Sequence, residues 1–452
     1  MSHKINDIEL ASNFTKEIYE DYCFALEFIK HNPDYSLLKF RQIIENLLCE
    51  IAKVKKIDFE SNSIHDRIEY LFQTQIIHKD FKDKLHLIRK LCNGAIHKNS
   101  NFEQKNLDDK DFYNKNKKML MEKAYEAQEI VIKIFIDTAF ITVNKIFKLT
   151  DVQFVDIKQQ EFKDIIFQGI TEVDYKKKLI AGIACESIIK EQSFNTGLIV
   201  SSDFAVHKDS LDNIINNLFD SACKISANLD HHLDENNKEL TITRYASVEA
   251  LYKYASNVLS MEYIKENPDS IAWRRLAAAA SRGYPSAQGL YGAYLYELRK
   301  YEESLKYLLE AQSKDDVMAL RFLYHYYSDV DSTTFDKALA IRFLEKAIDL
   351  GCPDALATLG IAYHKGIIFD KNDNEANKYL ERAISKGSVI GFNYYRWEFK
   401  YNREKFVNDV QSIANLFAGV LEGHTKELRK NIGRNDKCFC GSNKKYKKCC
   451  MV

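Results

Sequence analysis

The chain has 452 residues, with 65 lysines and arginines balanced by 65 aspartates and glutamates, so its net charge does not indicate a particular class of partner. This length allows two or three domains with sizeable cores, and the low content of proline (4) and glycine (16) favours a mainly helical protein. No apolar run approaches the roughly twenty residues of a membrane span, and the first residues lack the pattern of a signal peptide. We therefore expect a cytoplasmic protein that does not enter a membrane.

Residues 1–148 are predicted to form a helical domain, because apolar residues recur there at helical spacing with few interruptions. The clearest apolar stripe lies in LLKFRQIIENLLCEIAKV, and a later helix is predicted from Asp80 to Ile96. Around the end of that later helix, Arg89, Asn93 and His97 are spaced four residues apart, so we expect them to lie on one strip of its surface.

The segments L-x-x-x-R-x-x-x-E-N-L-L and L-x-x-I-R-x-L-x-N-G-A-I-H resemble a helical family of unknown function that is fused to type I restriction-enzyme motor subunits and to other bacterial defence proteins. That family lies within or near the HEPN superfamily, whose active members are metal-independent RNases with Arg and His separated by four to six residues. Here seven residues separate Arg89 from His97, which departs from that pattern.

The resemblance implies an RNase site in which His97 would act as general acid and base on a ribose 2′-hydroxyl. Arg89 would bind the phosphate, and Asn93 would orient one of the two. A structural interpretation stands beside it, in which the three side chains bond to one another, to Glu45 or to a helix end, and hold the domain or a homodimer interface together. Binding of RNA, DNA or a protein partner without cleavage lies between these two interpretations.

Residues 149–245 carry mixed signals, and we predict a small region of mixed α/β structure without assigning it a function. Phe194–Asp203 and Glu239–Tyr245 have the pattern of short strands. Leu211–Leu229 has the pattern of a helix.

From residue 246 to residue 422 the chain repeats itself. The stretches WRRLAAAASRGYPSA, IRFLEKAIDLGCPDA and NKYLERAISKGSVIG each predict a helix that ends in Ala-x-x-x-Gly, then a turn and a new helix. One helical hairpin cannot bury its apolar face alone, so the units are expected to stack. The equivalent alanines are spaced 32, 36 and 36 residues apart: Ala279, Ala311, Ala347 and Ala383. The companion helices are predicted to begin near Ala287, Ala319 and Ala355.

The pattern ALATLGIAYHKG…ANKYLERAISKG resembles SEL-type repeats, a subclass of the tetratricopeptide superfamily, over about residues 250–390. The resemblance implies a curved α-solenoid whose concave face binds a peptide or protein partner. The alternative is an array that serves only as a spacer. Capping helices are expected up to residue 422, and a linker from 423 leads to the C-terminal tail.

The tail contains four of the ten cysteines within thirteen positions, among lysines. In a chain without signs of secretion, clustered thiols indicate a metal site before disulfides, and four thiolates fit one tetrahedral structural Zn²⁺. A redox-active cluster is the alternative. Nine basic residues against two acidic ones between Lys426 and Lys448 make the tail suited to an acidic protein surface or to RNA. The predicted ligands are Cys438, Cys440, Cys449 and Cys450.

The stretch G-R-N-D-x-C-x-C-G-S-x-K-K-Y-K-x-C-C resembles the small zinc motif at the C-terminus of the SecA preprotein-translocation motor, which recurs as a tail on many otherwise unrelated bacterial proteins. One position departs from the motif, since Asn443 stands where the family usually has Gly. The resemblance implies one structural zinc and a docking role towards protein or ribosome partners, without catalysis.

The predicted fold class is mainly α, with an N-terminal helical bundle, a small mixed middle region, an α-solenoid of helical hairpins and a C-terminal zinc motif. The preferred functional hypothesis is a protein–protein interaction scaffold or adaptor in bacterial defence or stress response, since the sequence has no nucleotide-binding loop, nucleophile elbow or open metal motif. The alternative is an enzyme, a HEPN-type endoribonuclease regulated by the solenoid. A third hypothesis, a DNA-binding accessory of a restriction system, rests on analogy alone.

Overall fold

The computed structural model describes residues 4–61, 63–93, 110–155, 162–195, 202–229, 233–330 and 332–399. Residues up to Phe392 form one compact unit and residues 393–452 form a second. The expected mainly α class is confirmed, because the regular structure of the described ranges is helical apart from two strands of two residues each. Within the same ranges, no helix is both long enough and apolar enough to cross a membrane.

The N-terminal bundle is built on a long helix with clear capping residues at both ends. Asn32 caps it by accepting a hydrogen bond from the Tyr35 amide, and Pro33 occupies its first position, where a missing N–H costs nothing. It ends at Lys56, which adopts the left-handed conformation (φ 54°). The predicted apolar stripe is buried against the other helices: Leu37, Phe40, Ile44, Leu47, Leu48 and Ile51. The helices of the bundle are α1 (Asp7–Ala11), α2 (Lys16–Phe28), α3 (Pro33–Lys55), α4 (Ile64–Gln73), α5 (Lys79–Asn93) and α6 (Lys110–Val143).

Two short parallel strands join the ends of this bundle. The strands β1 (Ile5–Asn6) and β2 (Val152–Gln153) pair next to Asp7, whose side chain is fully buried. Its carboxylate accepts hydrogen bonds from the Tyr22 hydroxyl (3.0 Å), the Gln128 amide (3.2 Å) and the Val155 backbone N–H (3.0 Å). A buried carboxylate needs such donors, because an unpaired one would carry a large desolvation cost.

The middle region is helical where the structure describes it, and this corrects one sequence prediction. Glu239–Tyr245 lies in a helix rather than a strand, because in this helix Glu239 forms two hydrogen bonds with the buried Arg275 (3.0 and 2.9 Å). The predicted strand Phe194–Asp203 is helical at both ends, and residues 196–201 lie outside the described residues. The predicted helix from Leu211 is confirmed to Ser226. The helices are α7 (Phe162–Thr171), α8 (Tyr175–Asn195), α9 (Ser202–Ser226) and α10 (Glu235–Tyr245).

The remaining helices form consecutive hairpins, as the internal repeat predicted. All four equivalent alanines, and the alanines predicted near the start of the companion helices, are fully buried. A glycine with positive φ ends the first helix in three of the four units: Gly283 (84°), Gly351 (83°) and Gly387 (86°). After α11 (Val248–Val258) and α12 (Met261–Glu266), the repeat array consists of α13 (Ile271–Ser281), α14 (Pro285–Glu297), α15 (Tyr301–Gln312), α16 (Val317–Ser328), α17 (Lys337–Asp349), α18 (Pro353–Lys365), α19 (Asp373–Ser385) and α20 (Val389–Tyr394).

Apolar cores hold the bundle, the middle region and the repeat array together within the first unit. One core lies inside the bundle. A larger core runs from the middle helices into the array and includes Phe28 and Tyr35 of the bundle, so the bundle shares apolar packing with its neighbours. A third core fills the space between α16, α17 and α18. The predicted capping segment is described only as far as a π-helical turn at Tyr395–Phe399.

Candidate functional site at the junction of bundle and repeats

One face of the C-terminal half of α5 lies against the repeat array. The side chain of Arg89 is only 6% exposed, and Nη1 of its guanidinium donates a hydrogen bond of 3.1 Å to Oδ2 of Asp315, which is fully buried. Burial lowers the pKa of Arg89 from its usual value, and the negative charge of Asp315 opposes that shift. An arginine stays protonated at neutral pH in any case, so this contact is a buried ion pair between the bundle and the array.

Arg41 on α3 forms a second contact across the same junction. Its Nη1 donates to the side-chain oxygen of Asn93, its Nε donates to Glu45 (3.1 Å), and its Nη2 donates to the backbone carbonyl of Lys314 (2.7 Å). Asn93 is 1% exposed. Arg89 and Asn93, which the sequence placed on one strip of the helix, are therefore both engaged in the junction. His97 lies outside the described residues.

The array meets these side chains with an unusual turn between α15 and α16. Asp315 stands where the other three units have the glycine of positive φ, and it adopts a positive φ itself (59°). Asp is one of the few residues other than glycine that tolerate this conformation. Its second oxygen lies 3.4 Å from the Lys346 ammonium of α17, so one buried carboxylate is shared between a cation of the bundle and a cation of the array.

The next turn of the array also contacts the bundle, through backbone rather than charge. A Cβ added to Gly351, in the turn between α17 and α18, would lie 3.0 Å from the carbonyl oxygen of Lys90 on α5. That spacing is tighter than most Cβ contacts, so Gly351 is required here for its small size as well as for its positive φ.

An open groove of about 700 Å³ runs along this junction. Its lining combines cations with carboxylates and serine hydroxyls, including Ser61, His65, Asp66, Arg89, Arg342 and Lys346. Among the described residues that line this groove, one is a histidine, His65. The groove can accept a polar ligand, but its charged groups are of both signs, and Arg89 is already paired with Asp315.

A third buried contact ties the bundle to the helix that precedes the array. The ammonium of Lys39 on α3 lies 3.1 Å from Glu249 on α11 and 3.2 Å from Asp21 on α2. The Tyr35 hydroxyl donates to the same glutamate (3.3 Å). Lys39 is 5% exposed. Burial acts to lower the pKa of Lys39, but the surrounding carboxylates, Glu249 first, raise it well above its usual value, so the ammonium remains charged.

A row of aromatic side chains lies at the opposite ends of the repeat helices. Consecutive helices of a hairpin array run antiparallel, so the turns after α14 and α16 lie at the other edge from the turns that contact the bundle. Ring centroids follow one another at 5.5, 6.4, 5.1 and 5.8 Å along this aromatic edge, which consists of Tyr296, Tyr301, Tyr326, Tyr327 and Phe343. Tyr301 is 45% exposed, and the turn after α16 adds Val330 (64%) and Phe335 (41%).

Comparison with protein families identifies two segments of the chain. Residues 434–451 match the SEC-C motif, which confirms the resemblance of the tail. Residues 24–131 match a domain of unknown function, DUF4145. The matched segment contains Arg41, Arg89 and Asn93. The description of that domain names no activity, so a HEPN-type RNase stays a prediction.

Two solved structures are similar to this chain at low identity. The crystal structure of a Sel1 repeat protein from Oxalobacter formigenes is 16% identical, covers 53% of this chain and 91% of its own, and superposes with a TM-score of 0.30. A protective antigen of uropathogenic Escherichia coli strains that displays an SLR fold is 11% identical, covers 86% of this chain and 89% of its own, and gives a TM-score of 0.26. No curated protein matches the chain. The repeat architecture described above therefore rests on the chain's own helices, turns and buried alanines.

Proposed function

We propose that this protein is a protein–protein interaction scaffold whose binding surface is the aromatic edge of the repeat array. The observation that carries the proposal is the exposure of Tyr301, Val330 and Phe335 on adjacent inter-repeat turns, at the edge opposite to the turns that contact the bundle. Partly exposed aromatic side chains are enriched at the centres of protein interfaces, where they contribute most of the binding free energy. The buried contacts with the bundle support the proposal, since they hold this edge in one shape.

The test is a quantitative affinity purification with the full chain and with Tyr301→Ala, followed by measurement of Kd with each purified partner. Tyr125→Ala is the matched control, because Tyr125 is similarly exposed (41%) but lies on α6 of the bundle. A partner of the aromatic edge should bind Tyr301→Ala at least about tenfold more weakly and the control unchanged. If every partner binds both variants equally, the aromatic edge is not the binding surface.

We also propose that the tail binds one structural Zn²⁺ through Cys438, Cys440, Cys449 and Cys450 and serves as a second docking element. The support is the donor set, since four thiolates complete a tetrahedral site and leave no open position for catalysis. The tail lies outside the described residues, and the proposal rests on its sequence and on the SEC-C match. Its setting in bacterial defence or stress response stays a prediction from the N-terminal resemblance.

The RNase alternative is separated from the scaffold by a direct assay. The pairing of Arg89 with Asp315 favours a structural role, because a guanidinium already held by a buried carboxylate is poorly placed to bind a phosphate. The full chain should leave mixed RNA intact. Cleavage that disappears in both His97→Ala and Arg89→Met, with both variants folded by circular dichroism, would establish the endoribonuclease instead.

A further inference from the structure

Two histidines and one glutamate converge where α4 packs against α5. His65 and Glu69 are one turn apart on α4, so their side chains lie on the same face of that helix. His86 of α5 approaches them from the opposite side: its ring centroid is 5.0 Å from that of His65, and its Nε2 is 2.9 Å from Oε1 of Glu69. One ring nitrogen from each histidine and one oxygen of Glu69 all lie within 4.8 Å of one another.

We propose that His65, Glu69 and His86 form a binding site for a divalent transition metal, with Zn²⁺ as the best match. Two imidazoles and one carboxylate are the protein ligands of one type of open zinc site, and imidazole in general favours this class of metal. Bonds of about 2.1 Å in a tetrahedral site place donor atoms about 3.4 Å apart. A metal that binds here therefore draws the three ligand atoms, which now lie within 4.8 Å of one another, to that spacing.

One nitrogen of the cluster has no partner among the described residues, and the carboxylate of the cluster is held by a cation of the chain. Nδ1 of His86 is buried and has no hydrogen-bond partner among the described residues. Glu69 is shared between His86 and the Lys82 ammonium, which lies 2.7 Å from its other oxygen. In the absence of a metal, Lys82 is therefore the cation that neutralises this carboxylate.

When a metal replaces Lys82 as the cation bound to Glu69, the Lys82 ammonium keeps a second contact. Its ammonium lies 4.4 Å from the centre of the Phe72 ring, and that cation–π contact does not involve Glu69. Lys82 and Arg89 lie next to the cluster, and their positive charges both repel a second cation. Removal of the Lys82 charge should consequently strengthen metal binding at this cluster.

The site is accessible from solvent, and three protein ligands leave a fourth position open. His65 is exposed and lines the 700 Å³ groove at the junction, while Glu69 lines a neighbouring groove of about 290 Å³. A water molecule or a small anion would complete the coordination from either side. The metal would also join α4 to α5 one turn before Arg89, next to the junction with the array.

The experiment uses the full chain with all four tail cysteines replaced by serine, so that the tail contributes no thiolate. Titration with Co²⁺ should give one bound equivalent with a visible spectrum that lacks thiolate-to-cobalt charge-transfer bands. His65→Ala and His86→Ala should each weaken binding at least about tenfold, and Lys82→Met should strengthen it. His364→Ala, which removes a histidine paired with Asp373 on the array, should bind like the parent chain.

A second measurement separates loss of binding from loss of folding. Glu69→Gln keeps the size of the side chain, so without metal it should melt close to the parent chain. Added Zn²⁺ should raise the Tm of the parent chain and not that of this variant, because a ligand that binds only the folded state stabilises it. Equal binding by the parent and His65→Ala, no binding at all, or weaker binding by Lys82→Met would overturn the proposal. None of these results bears on the zinc of the tail, because the four tail cysteines are replaced by serine in every protein of this experiment.

Discussion

Nη1 of Arg89 lies 3.1 Å from Oδ2 of Asp315, and these two side chains, 226 residues apart in sequence, are 6% and 0% exposed. The pair connects the bundle to the array at the one repeat turn where an aspartate replaces glycine. Arg41 contacts the carbonyl of the preceding residue, Lys314, so two arginines of the bundle bind one turn of the array.

Replacement of one partner of this pair should destabilise the protein strongly. Arg89→Met leaves the fully buried Asp315 carboxylate with Lys346 as its remaining cation among the described contacts. A buried charge left without compensation costs about 3–5 kcal/mol, and this range is the upper bound for the loss. Arg89→Met combined with Asp315→Gly should lose less than the sum of the single variants, since the double variant removes both charges and restores the glycine of the other repeats. Urea unfolding of the four chains gives the coupling free energy, and additive losses would show that the pair is not coupled.

Gly351 offers a matched comparison for the backbone contact at the next turn. Gly351→Ala and Gly283→Ala both place a side chain at a φ near 84°, which costs about 1–2 kcal/mol. Only Gly351→Ala also brings its Cβ to 3.0 Å from the rigid Lys90 carbonyl, whereas the Cβ at 283 would meet the flexible end of Lys314 at 3.4 Å. Thermal unfolding should show the larger loss for Gly351→Ala. An equal loss in the two variants would mean that the Lys90 carbonyl does not restrict the side chain at position 351.

Because of His325 on α16, we expect the free energy of unfolding to fall in acid. Burial, with a smaller contribution from the charge of Arg321, lowers its pKa from 6.5 to about 4, so the unfolded chain takes up a proton that the folded chain does not. The stability that the neutral imidazole contributes is complete above about pH 6.5 and is lost as the pH falls towards 4, by roughly 3 kcal/mol. Urea unfolding at pH 7.5 and pH 4.5 should show a smaller difference for His325→Gln than for the wild type. Identical pH dependence would contradict the shift.

The zinc content of the tail is checked by elemental analysis of the full chain. A chain with Cys438→Ser and Cys440→Ser should lose one equivalent of zinc relative to the wild type, because two thiolates do not hold a structural site. Cys49→Ser is the control, since Cys49 is an exposed free cysteine of the bundle outside the tail. Equal zinc in all three chains would rule out the tail ligands.

The repeats were predictable from sequence because their signal is local. Ala279, Ala311, Ala347 and Ala383 recur at a nearly constant interval, and each is buried where two helices approach closely. The strand expected at Glu239–Tyr245 was wrong for a local reason as well. Its β-branched residues favour a strand, but the tertiary contact between Glu239 and Arg275 outweighs that preference.

The junction could not be predicted, since its partners are brought together only by the tertiary fold. One signal was present in the sequence: Asp315 occupies the glycine position of its repeat, and a charged residue in a structural turn indicates a specific partner. Arg89 and Asn93 were correctly placed on one helix face, but sequence spacing does not tell whether that face meets a substrate or another part of the chain. The cluster of His65, Glu69 and His86 was missed for a similar reason, because its third member comes from a different helix.

Helical repeat arrays are ordinarily flexible along their length, and they gain or lose units during evolution, because each unit contacts only its neighbours. Here the bundle contacts the array at Lys314, Asp315 and Gly351 and, through a ring stack of Phe112 on Phe392, at α20. It also contacts the preceding helix at Glu249. These points lie at fixed separations, so a whole unit inserted between them would move at least one out of reach. The contacts with the bundle therefore constrain the number of units and the curvature of the array from α11 to α20.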